Sequence, residues 1–312
     1  MAQQSLFTSS FKLFLKTYLI PVACIVIAAG GILNYFFEQK IILSSSSNGA
    51  YKVNRIIHRP ANEISILGSS RAEGAFIPSI LSSHAFNYGL SGAQDNVMLY
   101  FLSEALKQQS TQPIIINFDP EGLNSSLGDL SNYIYNASYQ PVRKLMGNAY
   151  EPWFAIPFFK YFGSFELYTK YYLNSKLQLT KVTDCGGNFE KNVLTPQKFA
   201  SLIAERKNTT TTFKNDTALE RDLINLLITN KVTPLVFVLS PIHNSYFVSY
   251  KNQSGFKTFI DSITQIPLVH FINMHHSYPD SMFINTTHLN YNGAVVFSEQ
   301  LKDSLQARGL LK

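Results

Sequence analysis

The stretch Ile64-Ser65-Ile66-Leu67-Gly68-Ser69-Ser70-Arg71 carries the reading of this chain. A short, mostly apolar run passes directly into a glycine and two serines. Such a run is what a parallel strand covered on both faces looks like, and the glycine permits a tight turn at its carboxyl end. Ser70 then stands at the mouth of a sheet, where open α/β folds build their sites. Taken alone, Gly-Ser-Ser is more often an ordinary turn with a serine capping a helix.

The same alternation continues downstream. Phe86–Tyr88, Ile114–Phe118, Leu235–Leu239 and His270–Met274 read as further strands, and Asp95–Gln108, Thr217–Thr229, Gly255–Ile263 and Gly293–Ala307 read as helices. The pattern predicts an α/β domain with a mostly parallel five-stranded sheet. Between the third and fourth strands lies an aromatic-rich, helical insertion at about 125–215, with Tyr150–Ser164 (YEPWFAIPFFKYFGS) and the only tryptophan, Trp153. Two roles are open for it: a cap that completes the core, or a lid over a site.

Upstream, Thr17–Phe37 (TYLIPVACIVIAAGGILNYFF) has no formal charge. As a helix rising about 1.5 Å per residue it spans a hydrocarbon layer of about 30 Å. Tyr18 and Tyr35 stand near its ends as interfacial aromatics, and Pro21 falls in the expected first turn, where a missing donor is tolerated. A cleaved signal peptide is the rival reading, with Ala28, Ala29 and Gly30 as small residues, but the apolar run continues past them. The expected division is therefore a tail at 1–16, a transmembrane anchor at 17–37, a linker at 38–60 that includes Ser44–Gly49, and one domain at 61–312. Lys12 and Lys16 precede the span while Lys40, Lys52 and Arg55 follow it, so flanking charge does not set the orientation.

Composition removes several function classes. The net charge of +6 comes from scattered Lys and Arg without a basic stripe, so no nucleic-acid partner is expected. Cys24 lies inside the apolar run and cannot meet Cys185, which leaves no intrachain disulfide. No Cys pair has zinc-ligand spacing, and adjacent His275 and His276 would point apart on a strand; neither a metal nor another cofactor is expected.

Two more elements fall at strand ends. Asn87-Tyr88-Gly89-Leu90-Ser91-Gly92-Ala93 precedes a helix, and Gly92 offers a bare amide to a developing oxyanion; the plainer reading is a loop using glycine for positive φ. Asn285-Thr286-Thr287-His288-Leu289-Asn290-Tyr291-Asn292-Gly293-Ala294 precedes the last helix. A histidine there can serve as general base to a serine, held from behind by the residue three positions earlier.

In this order the blocks GSSR, NYGLSG and HLNxxGA resemble those of the SGNH (GDSL-type) serine hydrolase superfamily over about residues 60–305. The resemblance implies a flavodoxin-like, three-layer α/β/α domain with Ser70 as nucleophile, His288 as base, and the Ser70 amide and Gly92 as oxyanion donors. The GSSR form and the anchor are similar to membrane-anchored acyl-transfer accessory proteins of teichoic-acid D-alanylation and alginate O-acetylation. That likeness implies an extracytoplasmic domain, an acyl ester or glycan substrate, and a polytopic membrane acyltransferase as partner. Two departures from the family pattern stand out. Its Gly-x-Asn-Asp block is absent, leaving Asn117 and Asp119 at the third strand end as candidates for the oxyanion hole and for substrate contact. Its acid is replaced by Asn285, so the site is a dyad, or another acid such as Asp280 serves, or catalysis is impaired. His243, after the fourth strand, is a candidate substrate contact or a structural histidine. An esterase or O-acyltransferase is expected, with a non-catalytic carbohydrate-binding or assembly subunit as the alternative.

Overall fold

A computed structural model of the chain describes residues 10–40, 49–93, 95–124, 185–207, 209–248, 250–276 and 278–311, together with 169, 170 and 173. The segment Tyr150–Ser164 and Trp153, and most of the expected insertion, lie outside the described residues.

Five strands form one parallel sheet: β1 (Ile64–Leu67), β2 (Ala85–Asn87), β3 (Ile114–Asn117), β5 (Leu235–Leu239) and β7 (Val269–Asn273), in the order β2-β1-β3-β5-β7. Two-residue strands β4 (Thr211–Thr212) and β6 (Tyr250–Lys251) pair separately, also in parallel. Every residue of the three central strands is buried, which is why they appear in the sequence as nearly unbroken apolar runs. Alternate side chains feed two apolar clusters: Leu67, Ile114, Ile116, Leu235 and Phe237 enter one, and Ile64, Ile66, Ile115, Val236 and Val238 the other.

The first cluster takes side chains from α2 (Gly49–Ile57), α5 (Asp95–Leu106), α7 (Thr217–Thr229) and α9 (Gln253–Ile263); the second takes them from α3 (Ser70–Ala75), α4 (Pro78–Leu81), α6 (Pro196–Lys207) and α10 (Tyr291–Ala307). Helices α9 and α10 begin two residues before the expected starts. Asn252 and Asn290 cap them, their side chains accepting from the Gly255 and Gly293 amides.

Residues 49–57, expected within a linker, form the amphipathic helix α2 with Val53 and Ile56 fully buried. Burial of each is worth about 1.5–3 kcal/mol, so α2 packs as an element of the domain. Helix α1 (Ile20–Lys40) continues a helical run that starts at Ser10, inside the expected tail. Pro21 is thus interior to the run, and a π-helical turn at Leu15–Leu19 stands directly before it. Such a turn accommodates the proline ring, which would otherwise meet the carbonyl four residues back. The run Ser10–Phe37 contains an 18-residue window of mean hydropathy 2.1 and is long and apolar enough to cross a membrane.

Candidate active site

Gly68 turns the chain out of β1 with φ +141°, where a Cβ would lie 2.9 Å from the Ala72 Cβ and 3.0 Å from the Asn117 Cβ. Ser69 follows as the N-cap of α3, accepting from the Arg71 amide at 3.4 Å. Ser70 is therefore the first residue of the helix, and its own N–H has no intrahelical acceptor. Its Oγ lies 2.8 Å from Nε2 of His288, although 218 positions separate the two.

His288 is held by the turn before α10. Asn285 Oδ1 accepts from the amides of Thr287 and His288, both at 2.8 Å, and from the Thr287 hydroxyl at 3.1 Å. The same oxygen lies 3.0 Å from His288 Nδ1. Two obligate backbone donors fix which end of this amide is the oxygen, because a flipped side chain would aim its NH2 at two N–H groups. Nδ1 also lies 3.0 Å from the Thr287 hydroxyl oxygen, which can accept or donate; because the Asn285 oxygen can only accept, a proton on Nδ1 satisfies the cluster and leaves the Nε2 lone pair for the Ser70 hydroxyl. Burial first, and then the positive charge of Arg71, hold the imidazole pKa below its usual 6.5, against a smaller opposing pull from Asp119. The ring is neutral at neutral pH, as a general base must be.

The loop from Gly89 to Ala93 docks on the same turn. The Leu90 amide donates to the Gly68 carbonyl at 3.1 Å, and the Ala93 amide to the Leu90 carbonyl at 3.0 Å. Gly92 adopts φ +75° and is exposed. Its N–H has no protein acceptor among the described residues. Among the described residues the Ser70 amide is likewise without an acceptor, so each of the two segments joined by the Leu90–Gly68 bond carries an uncommitted donor.

Asn117 sits beside this turn. One hydrogen of its Nδ2 goes to Asp119 Oδ1 at 2.6 Å, and its Oδ1 is buried without a partner among the described residues. Asp119 also has its partners within the protein: the Ser69 hydroxyl at 2.8 Å, Arg71 Nε at 2.9 Å, and Arg71 Nη2. It clamps the turn that presents Ser70. Asp280 meets His243 Nε2 at 3.1 Å rather than His288. His243 Nδ1 accepts from the Ser245 amide at 3.2 Å, and its ring packs edge-on against Phe199 and Phe283. Both ring nitrogens are thus engaged, and the His243 amide donates to the Thr286 carbonyl, tying this loop to the turn that carries Asn285 and His288.

Sequence reasoning missed Arg71, Glu73 and Lys52 as parts of the site. Arg71 and Glu73 had a usable signal, since both sit in the first turn after the serine. Lys52 had none: it lies in a stretch that read as linker. No protein-family model and no characterised protein sequence matches the chain.

Proposed function

We propose that this chain is a membrane-anchored, serine-dependent ester hydrolase or O-acyltransferase of the SGNH type, acting outside the cytoplasm on acyl groups of a cell-envelope glycan. The observation that carries the reading is the Ser70 Oγ to His288 Nε2 contact of 2.8 Å, with Asn285 Oδ1 fixing the tautomer from behind. The sheet order supports the fold: with the short β4 and β6 left aside, it is the doubly wound order 2-1-3-4-5 of flavodoxin-like, three-layer domains. The glycan substrate, the extracytoplasmic side and a polytopic membrane acyltransferase as partner rest on the sequence resemblance alone.

In this reading the Ser70 oxygen attacks an ester carbonyl while its proton passes to His288 Nε2. The tetrahedral oxyanion is held by the Ser70 and Gly92 amides. Collapse breaks the ester C–O bond, His288 returns the proton to the departing alkoxide, and an acyl-Ser70 ester remains. Water, or a sugar hydroxyl deprotonated by His288, then takes the acyl group and restores the serine. Asn285 orients the imidazole without adding negative charge, so the imidazolium formed in each step is less stabilised than it would be beside an aspartate.

A second reading, a non-catalytic carbohydrate-binding or assembly subunit, is favoured by that missing charge. The discriminating experiment incubates the purified chain with a fluorophosphonate probe and with short acyl esters, with and without a glycan acceptor. Labelling and turnover above a Ser70→Ala control support the enzyme, and acceptor-dependent product identifies a transferase. Neither signal above the control would overturn the enzymatic reading.

A further inference from the structure

Lys52 projects from α2 into the interior and is fully buried. Its ammonium donates to Glu73 Oε1 at 2.9 Å and to the Gly89 carbonyl. Glu73, one turn after Ser70 on α3, uses its other oxygen to accept the Ser91 amide at 2.9 Å and the Ser91 hydroxyl at 2.5 Å. An ion pair this deep gives little net stability compared with apolar residues of the same volume, because both charges lose their water. What it does here is geometric. Three elements that are distant in sequence converge through two side chains on the loop that carries Gly92.

Within that loop every neighbouring amide is committed: Gly89 to Asn87 Oδ1 at 2.8 Å, Leu90 to Gly68, Ser91 to Glu73, and Ala93 to Leu90. Gly89 is pressed so closely on α3 that a Cβ would lie 2.4 Å from the Glu73 amide nitrogen. The peptide between Ser91 and Gly92 is thus aimed by groups on either side of it, and among the described residues the Gly92 N–H is the loop amide left for a ligand.

We infer that Lys52 and Glu73 are positioning residues for acyl transfer: through Gly89 and Ser91 they hold the Gly92 amide at the oxyanion, so the juxtamembrane helix α2 is part of the catalytic apparatus. The inference rests on the ester-transfer reading of Ser70. Neither side chain touches the reacting atoms. Their effect belongs to the transition state, in which the carbonyl oxygen becomes charged, and not to ground-state binding.

The test uses the full chain in detergent with a p-nitrophenyl acyl ester, comparing wild type, Lys52→Met, Glu73→Gln and Ser91→Ala, with Ser70→Ala as the blank. Lys52→Met and Glu73→Gln are expected to lower kcat by about 10- to 100-fold with KM changed by less than about threefold, since misplacing one oxyanion donor acts on the transition state. The double variant is expected to lose no more than the worse single one, because the two residues act as one unit. Ser91→Ala removes only an exposed hydroxyl that reaches Glu73. It provides a reading even if the buried variants fail to fold, and is expected to lower kcat by about 3- to 10-fold at unchanged melting temperature. Unchanged kcat in folded Lys52→Met, or in Ser91→Ala if Lys52→Met does not fold, overturns the inference while the wild type remains a Ser70-dependent esterase. Absence of Ser70-dependent turnover in the wild type overturns the proposed function, and this inference with it.

Discussion

Replacing Asn285 by aspartate is expected to increase ester turnover by about tenfold at about pH 8. The Asn285 Oδ1 to His288 Nδ1 distance is 3.0 Å, and the two backbone donors on that oxygen would receive a carboxylate equally well. At that separation full opposite charges attract by roughly 5 kcal/mol for an effective dielectric constant of about 20. Desolvation of the new carboxylate and the nearby Arg71 charge oppose this, and the usual outcome for such a neighbour is a rise of about 1–3 pKa units in the imidazole. With about half of the proton's charge on the ring in the transition state, the gain is roughly 3- to 30-fold. The tautomer does not change, because the oxygen already faces Nδ1. The sign also sets the assay pH. The wild-type imidazole pKa lies below 6.5, through burial first and Arg71 second, and in the variant it moves up. The acid limb of kcat/KM therefore shifts to higher pH, and the advantage shrinks as pH falls towards it. Steady-state kinetics of folded Asn285→Asp across this range checks both parts. An unmoved acid limb with equal or slower turnover at about pH 8 would refute the reasoning, as would a large loss on Asp280→Asn, since Asp280 bonds to His243.

Ser70→Ala and His288→Ala should each abolish turnover with folding intact, and the double variant should be no worse than either, measured by ester hydrolysis and circular dichroism. Gly68→Ala should destabilise the domain by about 1–3 kcal/mol in denaturant unfolding, because φ is +141° and the added Cβ would meet the Ala72 and Asn117 Cβ atoms at 2.9 and 3.0 Å. The His288 pKa is depressed in the fold, so its contribution to stability is complete above the unfolded value of about 6.5 and is lost as pH falls through the lower folded value; unfolding followed between about pH 7.5 and 5 should show a steeper loss in wild type than in His288→Gln. An alkaline phosphatase fusion at Lys312 should be active, placing the domain outside the cytoplasm, and an inactive fusion beside a working cytoplasmic reporter would reverse that assignment.

Much of the fold was legible because burial on both faces leaves a local signature. Ile64–Leu67 and Leu235–Leu239 were read at their exact bounds, as was Thr217–Thr229, since all five residues of β5 are buried and α7 buries Leu219, Leu223 and Leu227 at the helical period. Helix α2 was missed although it is amphipathic: it is short, and Lys52, a charge fully buried beside Val53 and Ile56, interrupts its apolar face. Ser70, Gly92 and His288 were candidates from the sequence because glycine turns and helix starts mark strand ends. Their partners were not, for hydrogen bonds are directional and depend on side chains brought together from distant positions. The sequence determined that a serine and a histidine occur where an α/β sheet opens. Only the tertiary structure decided that they meet at 2.8 Å, that the Asn285 oxygen and not its nitrogen faces the ring, that Asp280 is engaged by His243, that Asn117 is bound to Asp119, and that Lys52 reaches the loop that docks on the Ser70 turn. Each of these is a contact whose two sides the chain's local pattern constrains separately and never jointly.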